Sequence, residues 1–160
     1  MVPPTREEIK KLIDVGATSF GFNIEIYDEK LRREICPGKG AIGIDEYIKR
    51  GIYANELLGG NKVGSTLICG IAPVDTIKKG IDKLTMNGIH PCILAFRPSE
   101  NSEFAGKEEC DTETFYECSE YAAIKMLEND LDIFKNEGCL LCEYCTIMHD
   151  LTREIQEKRK

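Results

Sequence analysis

The sequence VGSTLICGIAPVDTIKKGIDKLTMNGIHPCILAF, at residues 63–96, carries the strongest indication of the fold. Residues 63–71 form a near-continuous apolar run of strand length, and residues 91–96 form a second one. Residues 74–87, between them, predict a helix that Gly88 ends. Strands that are apolar on both faces and are joined by a helix are typical of a buried parallel sheet. The segment therefore predicts a βαβ unit.

The same alternation of helices and strands extends toward the amino terminus. Thr5 and Glu8 have the spacing of a capping box, which predicts the start of a helix over residues 5–15. Residues 20–27 (FGFNIEIY) are rich in β-branched and aromatic side chains and predict a buried strand. Residues 44–58 predict a second long helix. These elements add a third strand to the sheet.

The carboxyl-terminal third continues with a polar loop, a helix over residues 112–136 and a final helix. The whole order predicts an α/β fold with three parallel strands and helices. Three strands are few for so much helix, so we expect a partial (β/α) barrel or a sheet completed by another chain. We expect a half-barrel domain over residues 1–136, and a cysteine-rich metal segment with a terminal helix over residues 137–160.

Composition excludes several classes of function. The 160 residues include 28 acidic and 21 basic side chains, for a net charge of -7, so we expect no nucleic-acid partner. No apolar run is long enough to span a bilayer, so we expect no membrane partner and a cytoplasmic protein. The eight cysteines should then be reduced, which favours metal-binding or catalytic roles over disulfides.

The run GCLLCEYCTIMHD places Cys139, Cys142 and Cys145 at three-residue intervals, with His149 four residues further on. Two-residue spacers let thiolates converge on one soft metal centre. The three thiolates could bind three irons of a four-iron cluster, with an outside ligand for the fourth iron. They could equally bind zinc with His149 as the fourth ligand. The alternative is that they are ordinary reduced thiols packed beside apolar neighbours.

Several short segments, taken in order, resemble the carboxyl-terminal half of radical S-adenosylmethionine enzymes close to biotin synthase. They are residues 23–25 (NIE), 36–39 (CPGK), 65–70 (STLICG), 77–88 and 91–98 (PCILAFRP). The resemblance implies a partial barrel of six parallel strands, of which this chain supplies three. It also implies that ligands bind at the carboxyl ends of the strands, as in barrels generally.

By this resemblance, Asn23 and Glu25 contact the ribose and amino-acid portion of S-adenosylmethionine, and Ile68 and Gly70 pack on its adenine. Residues two apart on a strand point to one side, and an amide with a carboxylate suits hydroxyls and an ammonium. Without the resemblance, Asn23 and Glu25 are ordinary polar residues at a strand end. The chain departs from the family pattern at Pro73, where a glutamate often follows the glycine pair.

The family's Cys-x-x-x-Cys-x-x-Cys spacing, which anchors the primary cluster, does not occur in this sequence. The resemblance instead places an auxiliary cluster at Cys139, Cys142 and Cys145. We therefore expect a radical S-adenosylmethionine-type iron–sulfur protein that is inactive alone, as a split or truncated carboxyl-terminal half. Its partner would be an amino-terminal half-barrel, or the chain would self-associate. The alternative is a non-catalytic metal-binding protein, with zinc or iron–sulfur, or an electron-transfer protein.

Overall fold

The computed structural model describes residues 2–135, 138, 142 and 145–159. The described elements, in chain order, are α1 (Arg6–Asp14), β1 (Phe20–Gly21), α2 (Glu29–Ile35), α3 (Pro37–Gly40), α4 (Ile44–Leu58), β2 (Val63–Cys69), α5 (Val74–Thr85), β3 (His90–Ala95), α6 (Thr112–Glu128), a 3₁₀ turn (Ile133–Lys135) and α7 (Met148–Lys158). None of the helices within these residues combines the length and apolar character that crossing a bilayer requires.

The three strands form one parallel sheet in the order β1, β2, β3. Strand β2 lies in the centre, with Gly64 opposite His90 and Cys69 opposite Ala95 on β3. Helix α5 connects these two strands, as the sequence predicts. The predicted α/β class, with three parallel strands and helices around them, is confirmed and is consistent with a partial β/α fold.

Helix α5 packs closely on the sheet because Gly80 has no side chain. A Cβ atom at Gly80 would lie 2.8 Å from Cβ of Tyr27 and 3.1 Å from Cδ1 of Leu67. Leu67 is 1% exposed and Ile93, on the neighbouring strand, is fully buried. The side of the sheet that carries Leu67 is therefore covered by helix.

The opposite side of the sheet is less covered. Successive strand residues point to opposite faces, so Ile68 and Leu94 lie on the face away from Leu67. Both are half-buried, whereas Leu67 and Ile93 are almost completely buried. In a closed barrel this second face would line the interior.

The first strand is much shorter than the predicted 20–27. Regular pairing with β2 covers Phe20–Gly21 and resumes at Glu25 as a single bridge to Leu67. Between these points the Ser65 hydroxyl accepts a hydrogen bond from the Ile24 N–H at 3.0 Å. Glu25 adopts φ 69°, a left-handed conformation that an extended strand cannot contain. The apolar pattern of the segment carries no information about either feature.

The predicted helix over residues 112–136 is also too long. Helix α6 ends at Glu128, and Asp130 has φ 56°, which is incompatible with a continuing helix. The Leu131 N–H then donates to the Met126 carbonyl oxygen at 2.9 Å, which closes the helix end. Nearer the amino terminus, Pro37 begins the short helix α3, where the fixed φ of proline suits the first helical position.

The last helix belongs to the same apolar core as the sheet. Met148 and Leu151 of α7 are 1% and 5% exposed and join the core cluster that includes Leu67 and Ile93. Helix α7 packs on α6. The predicted domain boundary after residue 136 lies outside the described residues, and it stays a prediction.

Candidate functional site at the carboxyl ends of the strands

Because the strands are parallel, their carboxyl ends meet at one edge of the sheet, where ligands bind in α/β proteins. The edge at β1 carries an ion pair between the Glu25 carboxylate and the Lys39 ammonium. Their side chains are 16% and 22% exposed. Lys39 reaches this position because α3 follows α2 directly and returns the chain to the end of β1. The pair is partly shielded from solvent, which strengthens it.

Asn23, two residues before Glu25 in the chain, forms a hydrogen bond within the sheet. Its Oδ1 accepts a hydrogen bond from the Thr66 N–H at 3.4 Å, in place of a backbone ladder bond. The regular alternation that would point Asn23 and Glu25 to one side ends at the left-handed Glu25. The structure brings both residues to the same edge, and their contact with S-adenosylmethionine stays a prediction.

A buried arginine, which no motif in the sequence marks, supports the end of β1. Arg32 is fully buried, and its Nε donates to the Ile24 carbonyl at 2.9 Å and its Nη1 to the Ile42 carbonyl at 2.7 Å. Its guanidinium carbon lies 4.4 Å from the centre of the Tyr47 ring. Burial raises the pKa of the Tyr47 hydroxyl, and the positive charge of Arg32 opposes that shift. No sequence signal separates Arg32 from its neighbour Arg33, which lies exposed on α2.

The end of β2 packs against the loop that leads to α6. Gly70 has φ 93°, and a Cβ atom there would lie 2.6 Å from Cβ of Cys110. Only glycine fits this conformation and this approach. Ile68 is half-buried on the open face of the sheet. The predicted adenine contact of Ile68 and Gly70 stays a prediction, and on one side Gly70 is already covered by Cys110.

Three cysteines cluster at this end of β2. The Cys110 thiol donates to the Cys69 sulfur at 3.4 Å, and the Cys69 thiol donates to the Leu94 carbonyl at 3.2 Å. Burial, followed by the hydrogen bond with Cys110, raises the pKa of the Cys69 thiol. Burial also raises the pKa of the neighbouring Cys118 thiol to about 11. Spacing could not have revealed this cluster, because Cys69 and Cys110 are 41 residues apart.

A cleft of about 610 Å³ opens at the carboxyl end of β3. Arg97 and Glu109 provide charged groups on its wall, and Cys110 and Cys145 provide thiols. Cys145 belongs to the predicted metal segment. The cleft therefore brings one end of that segment to the same edge of the sheet as the strand ends.

The predicted metal ligands are only partly described. Cys139 lies outside the described residues, and Cys142 and Cys145 are exposed. His149 is 2% exposed on α7, with its ring 5.6 Å from the Phe134 ring in an edge-to-face contact. Within the described ranges, no group of three histidine, cysteine or acidic side chains is arranged to hold a metal ion. Exposed thiols suit the donor chemistry of an iron–sulfur cluster.

No family model and no solved structure matches this chain. The chain is similar to bacteriochlorophyllide c C-7(1)-hydroxylase of Chlorobaculum limnaeum, with 24% identity over 123 residues. The match covers 76% of this chain, which spans about 31% of the length of the relative. At a coarse level this distant similarity suggests radical S-adenosylmethionine enzymes, and it does not favour biotin synthase within them.

Proposed function

We propose that this chain is the carboxyl-terminal part of a radical S-adenosylmethionine-type enzyme and holds an iron–sulfur centre on Cys139, Cys142 and Cys145. The observation that carries the proposal is the 123-residue similarity to the bacteriochlorophyllide c C-7(1)-hydroxylase, which suggests radical S-adenosylmethionine enzymes. Three parallel strands with helices, as in part of a β/α barrel, support it. The substrate and the hydroxylation named for the relative are left open for this chain.

The open face of the sheet supports the need for a second half. Ile68 and Leu94 lie on the side that would line the interior of a barrel, and they are less buried than the residues under the helices. Further strands added at an edge of the sheet would extend it and cover this face. We propose an amino-terminal half-barrel as the partner, with self-association as the alternative.

The ion pair at the end of β1 supports binding of S-adenosylmethionine there. When bound, this cofactor together with a reduced cluster supplies a 5′-deoxyadenosyl radical for hydrogen abstraction. The Glu25 carboxylate is suited to the ammonium group of its methionine portion, and Lys39 now neutralises that carboxylate. Binding would therefore require the ammonium to displace Lys39 from Glu25. Asn23, held by Thr66, would contribute its free amide hydrogens.

The described part of the metal segment favours iron–sulfur over zinc. Cys142 and Cys145 are exposed, whereas His149 is buried on α7. A zinc site with His149 would require the histidine and the thiols to converge, while a cluster requires only the thiols on this chain.

Anaerobic reconstitution with ferrous iron and sulfide tests the metal centre. We expect about four irons and about four sulfides per chain. Changing Cys139, Cys142 and Cys145 together to serine should abolish both. The matched control changes Cys36 and Cys92, which lie outside the segment, and should keep the full iron and sulfide content. A stoichiometric zinc site without iron and sulfide would defeat the iron–sulfur preference, and unchanged metal in the triple variant would place the site elsewhere.

Turnover of S-adenosylmethionine tests the role of the proposed amino-terminal half. Because the sequence lacks the Cys-x-x-x-Cys-x-x-Cys ligands, the chain alone should form no 5′-deoxyadenosine above a no-protein control, even under strong reduction. Product formation by the chain alone would show that the late cysteines serve as the primary site. Addition of an amino-terminal half that carries those ligands should restore cleavage.

A non-catalytic electron-transfer protein is the second candidate, since the exposed Cys142 and Cys145 would place a centre at the surface. Binding of S-adenosylmethionine separates the two functions. With the amino-terminal half added, equilibrium dialysis should detect binding of S-adenosylmethionine to the native chain. The Glu25→Gln variant should lose most of this binding. The matched control Glu34→Gln lies exposed on α2 and should bind normally. Absence of binding in all three proteins would favour electron transfer.

A further inference from the structure

We propose that Cys110 and Cys69 form a dithiol that exchanges with small-molecule disulfides, with Cys110 as the attacking thiol and Cys69 as the resolving thiol. The pair lies outside the predicted metal segment, and the inference does not depend on the proposed function. Its substrate class is a low-molecular-weight disulfide such as oxidised glutathione.

The two sulfur atoms are already in contact. They lie 3.4 Å apart, so a shift of about 1.4 Å would bring them to disulfide bonding distance. The chain at Gly70 also lies close to Cys110, because a Cβ atom added at Gly70 would be 2.6 Å from Cβ of Cys110. Cys110 is held there by its N–H, which donates to the Phe96 carbonyl at 3.0 Å. Closure therefore needs side-chain rotation and little movement of the chain.

The environments of the two thiols differ in the way that such exchange requires. Cys110 is only partly buried and lines the cleft of about 610 Å³, so a small disulfide can reach its sulfur. The wall of the same cleft carries Arg97, which suits a carboxylate of glutathione, and Glu109, which suits its ammonium group. Cys69 is fully buried and its pKa is raised, so it is a poor first nucleophile. The Cys69 thiol can reach a disulfide sulfur only after Cys110 has formed its mixed disulfide.

The reaction has two exchange steps. The Cys110 thiolate attacks one sulfur of the external disulfide, which breaks that S–S bond, forms a mixed disulfide on Cys110 and releases one thiolate. The Cys69 thiolate then attacks the Cys110 sulfur, forms the Cys69–Cys110 disulfide and releases the second thiolate. The two protein thiols lose two electrons, the external disulfide gains them, and the two thiol protons finish on the released thiols.

Oxidation would link Cys69, at the end of β2, covalently to Cys110, which lies two residues before the start of α6. It would alter one wall of the cleft, because Cys110 is part of that wall. Intracellular disulfides are commonly transient and redox-sensing, so a reversible link of this kind is compatible with otherwise reduced cysteines.

Peptide mapping after reaction with oxidised glutathione tests the proposal. The full chain is treated anaerobically, quenched with acid, alkylated and digested with trypsin and an aspartate-specific protease. This digestion separates Cys69 on residues 63–74, Cys110 on residues 108–110 and Cys118 on residues 111–125. We expect the linked product to join residues 63–74 to residues 108–110. Dithiothreitol should reverse it.

Variants distinguish the roles of the two thiols. In Cys69→Ala, the fraction of Cys110 that carries glutathione should be about ten-fold larger than in the native chain, because the resolving step is lost. Cys110→Ala should prevent modification of Cys69. The matched control Cys118→Ala, which removes the buried neighbour, should keep the Cys69–Cys110 link. Circular dichroism confirms that each variant is folded.

Two results would overturn the inference. One is a Cys69–Cys118 link in a yield equal to that of Cys69–Cys110. The other is unmodified Cys110 in folded Cys69→Ala at a glutathione concentration that modifies the exposed Cys142. Alkylation of the native chain gives an independent measure, and Cys110 should react at least about ten-fold faster than Cys69.

Discussion

The Glu25 carboxylate and the Lys39 ammonium pair at the carboxyl end of β1, where Glu25 occupies a left-handed backbone conformation with φ 69°. This conformation is unfavourable for a residue with a side chain and persists only where its surroundings stabilise it. The Glu25 N–H donates to Thr66 and its carbonyl accepts from Ile68, both within 2.9 Å. The residue therefore connects the shortened first strand to β2 and presents its carboxylate at the candidate site.

A double-mutant cycle measures this ion pair. Glu25→Gln and Lys39→Met, alone and combined, should show a coupling free energy of about 1 kcal/mol, because both side chains are largely shielded from water. Urea unfolding of the four proteins provides the values. A coupling near zero, or one that persists unchanged in high salt, would contradict a partly solvated ion pair at this position.

The buried Arg32 should be one of the most sensitive positions in the chain. Arg32→Lys replaces a planar guanidinium that donates to two carbonyls and stacks on Tyr47, so the free energy of unfolding should fall by about 3 kcal/mol. The adjacent Arg33→Lys changes an exposed side chain and should cost less than about 0.5 kcal/mol. Chemical denaturation compares the pair directly. Equal effects of the two substitutions would show that the buried contacts contribute little.

His90 should make the protein less stable in mild acid. It is 2% exposed, with its Nε2 3.1 Å from Oδ1 of Asn61, and burial lowers its pKa from 6.5 to about 4. Between these two values the unfolded chain binds a proton that the folded chain does not, so stability is lost as the pH falls. From about pH 7 to about pH 5 this residue should remove about 2 kcal/mol.

The charges that affect His90 are those of Asp132, which partly opposes the shift, and His149. His90→Gln should remove the loss assigned to His90, and the difference between native and variant unfolding free energies over this pH range is the measurement. Parallel pH dependences of the two proteins would mean that His90 is protonated in the folded state.

The half-buried face of the sheet should cause association. Sedimentation velocity over a range of concentrations should show self-association of the isolated chain, and Ile68→Glu should weaken it by about ten-fold or more. Leu57→Glu is the matched control, because Leu57 is 44% exposed on α4, away from this face. A stable monomer with a cooperative unfolding transition would show that the face needs no partner.

Local signals predicted the central elements well. Helix α4 (Ile44–Leu58) has the predicted bounds, since Gly59 follows it at φ 82° and provides a left-handed cap. Strands β2 and β3 lie within one or two residues of their predicted ends, because short continuous apolar runs of this length are typical of buried strands. The error at β1 arose between Gly21 and Glu25, where the Ser65 and Asn23 side chains accept backbone hydrogen bonds, and the error at α6 arose at the left-handed Asp130. Neither feature carries a clear sequence signal.

By itself, the sequence determined the alternation of helices and parallel strands and the placement of Glu25 and Gly70 near strand ends, because these follow from periodicity and from order along the chain. Only the tertiary structure decided which groups meet there. Lys39 pairs with Glu25 across 14 residues and Cys110 meets Cys69 across 41. Arg32 is buried although its neighbour Arg33 is exposed. Such contacts depend on how the elements pack in three dimensions, and the local pattern of residues does not contain that information.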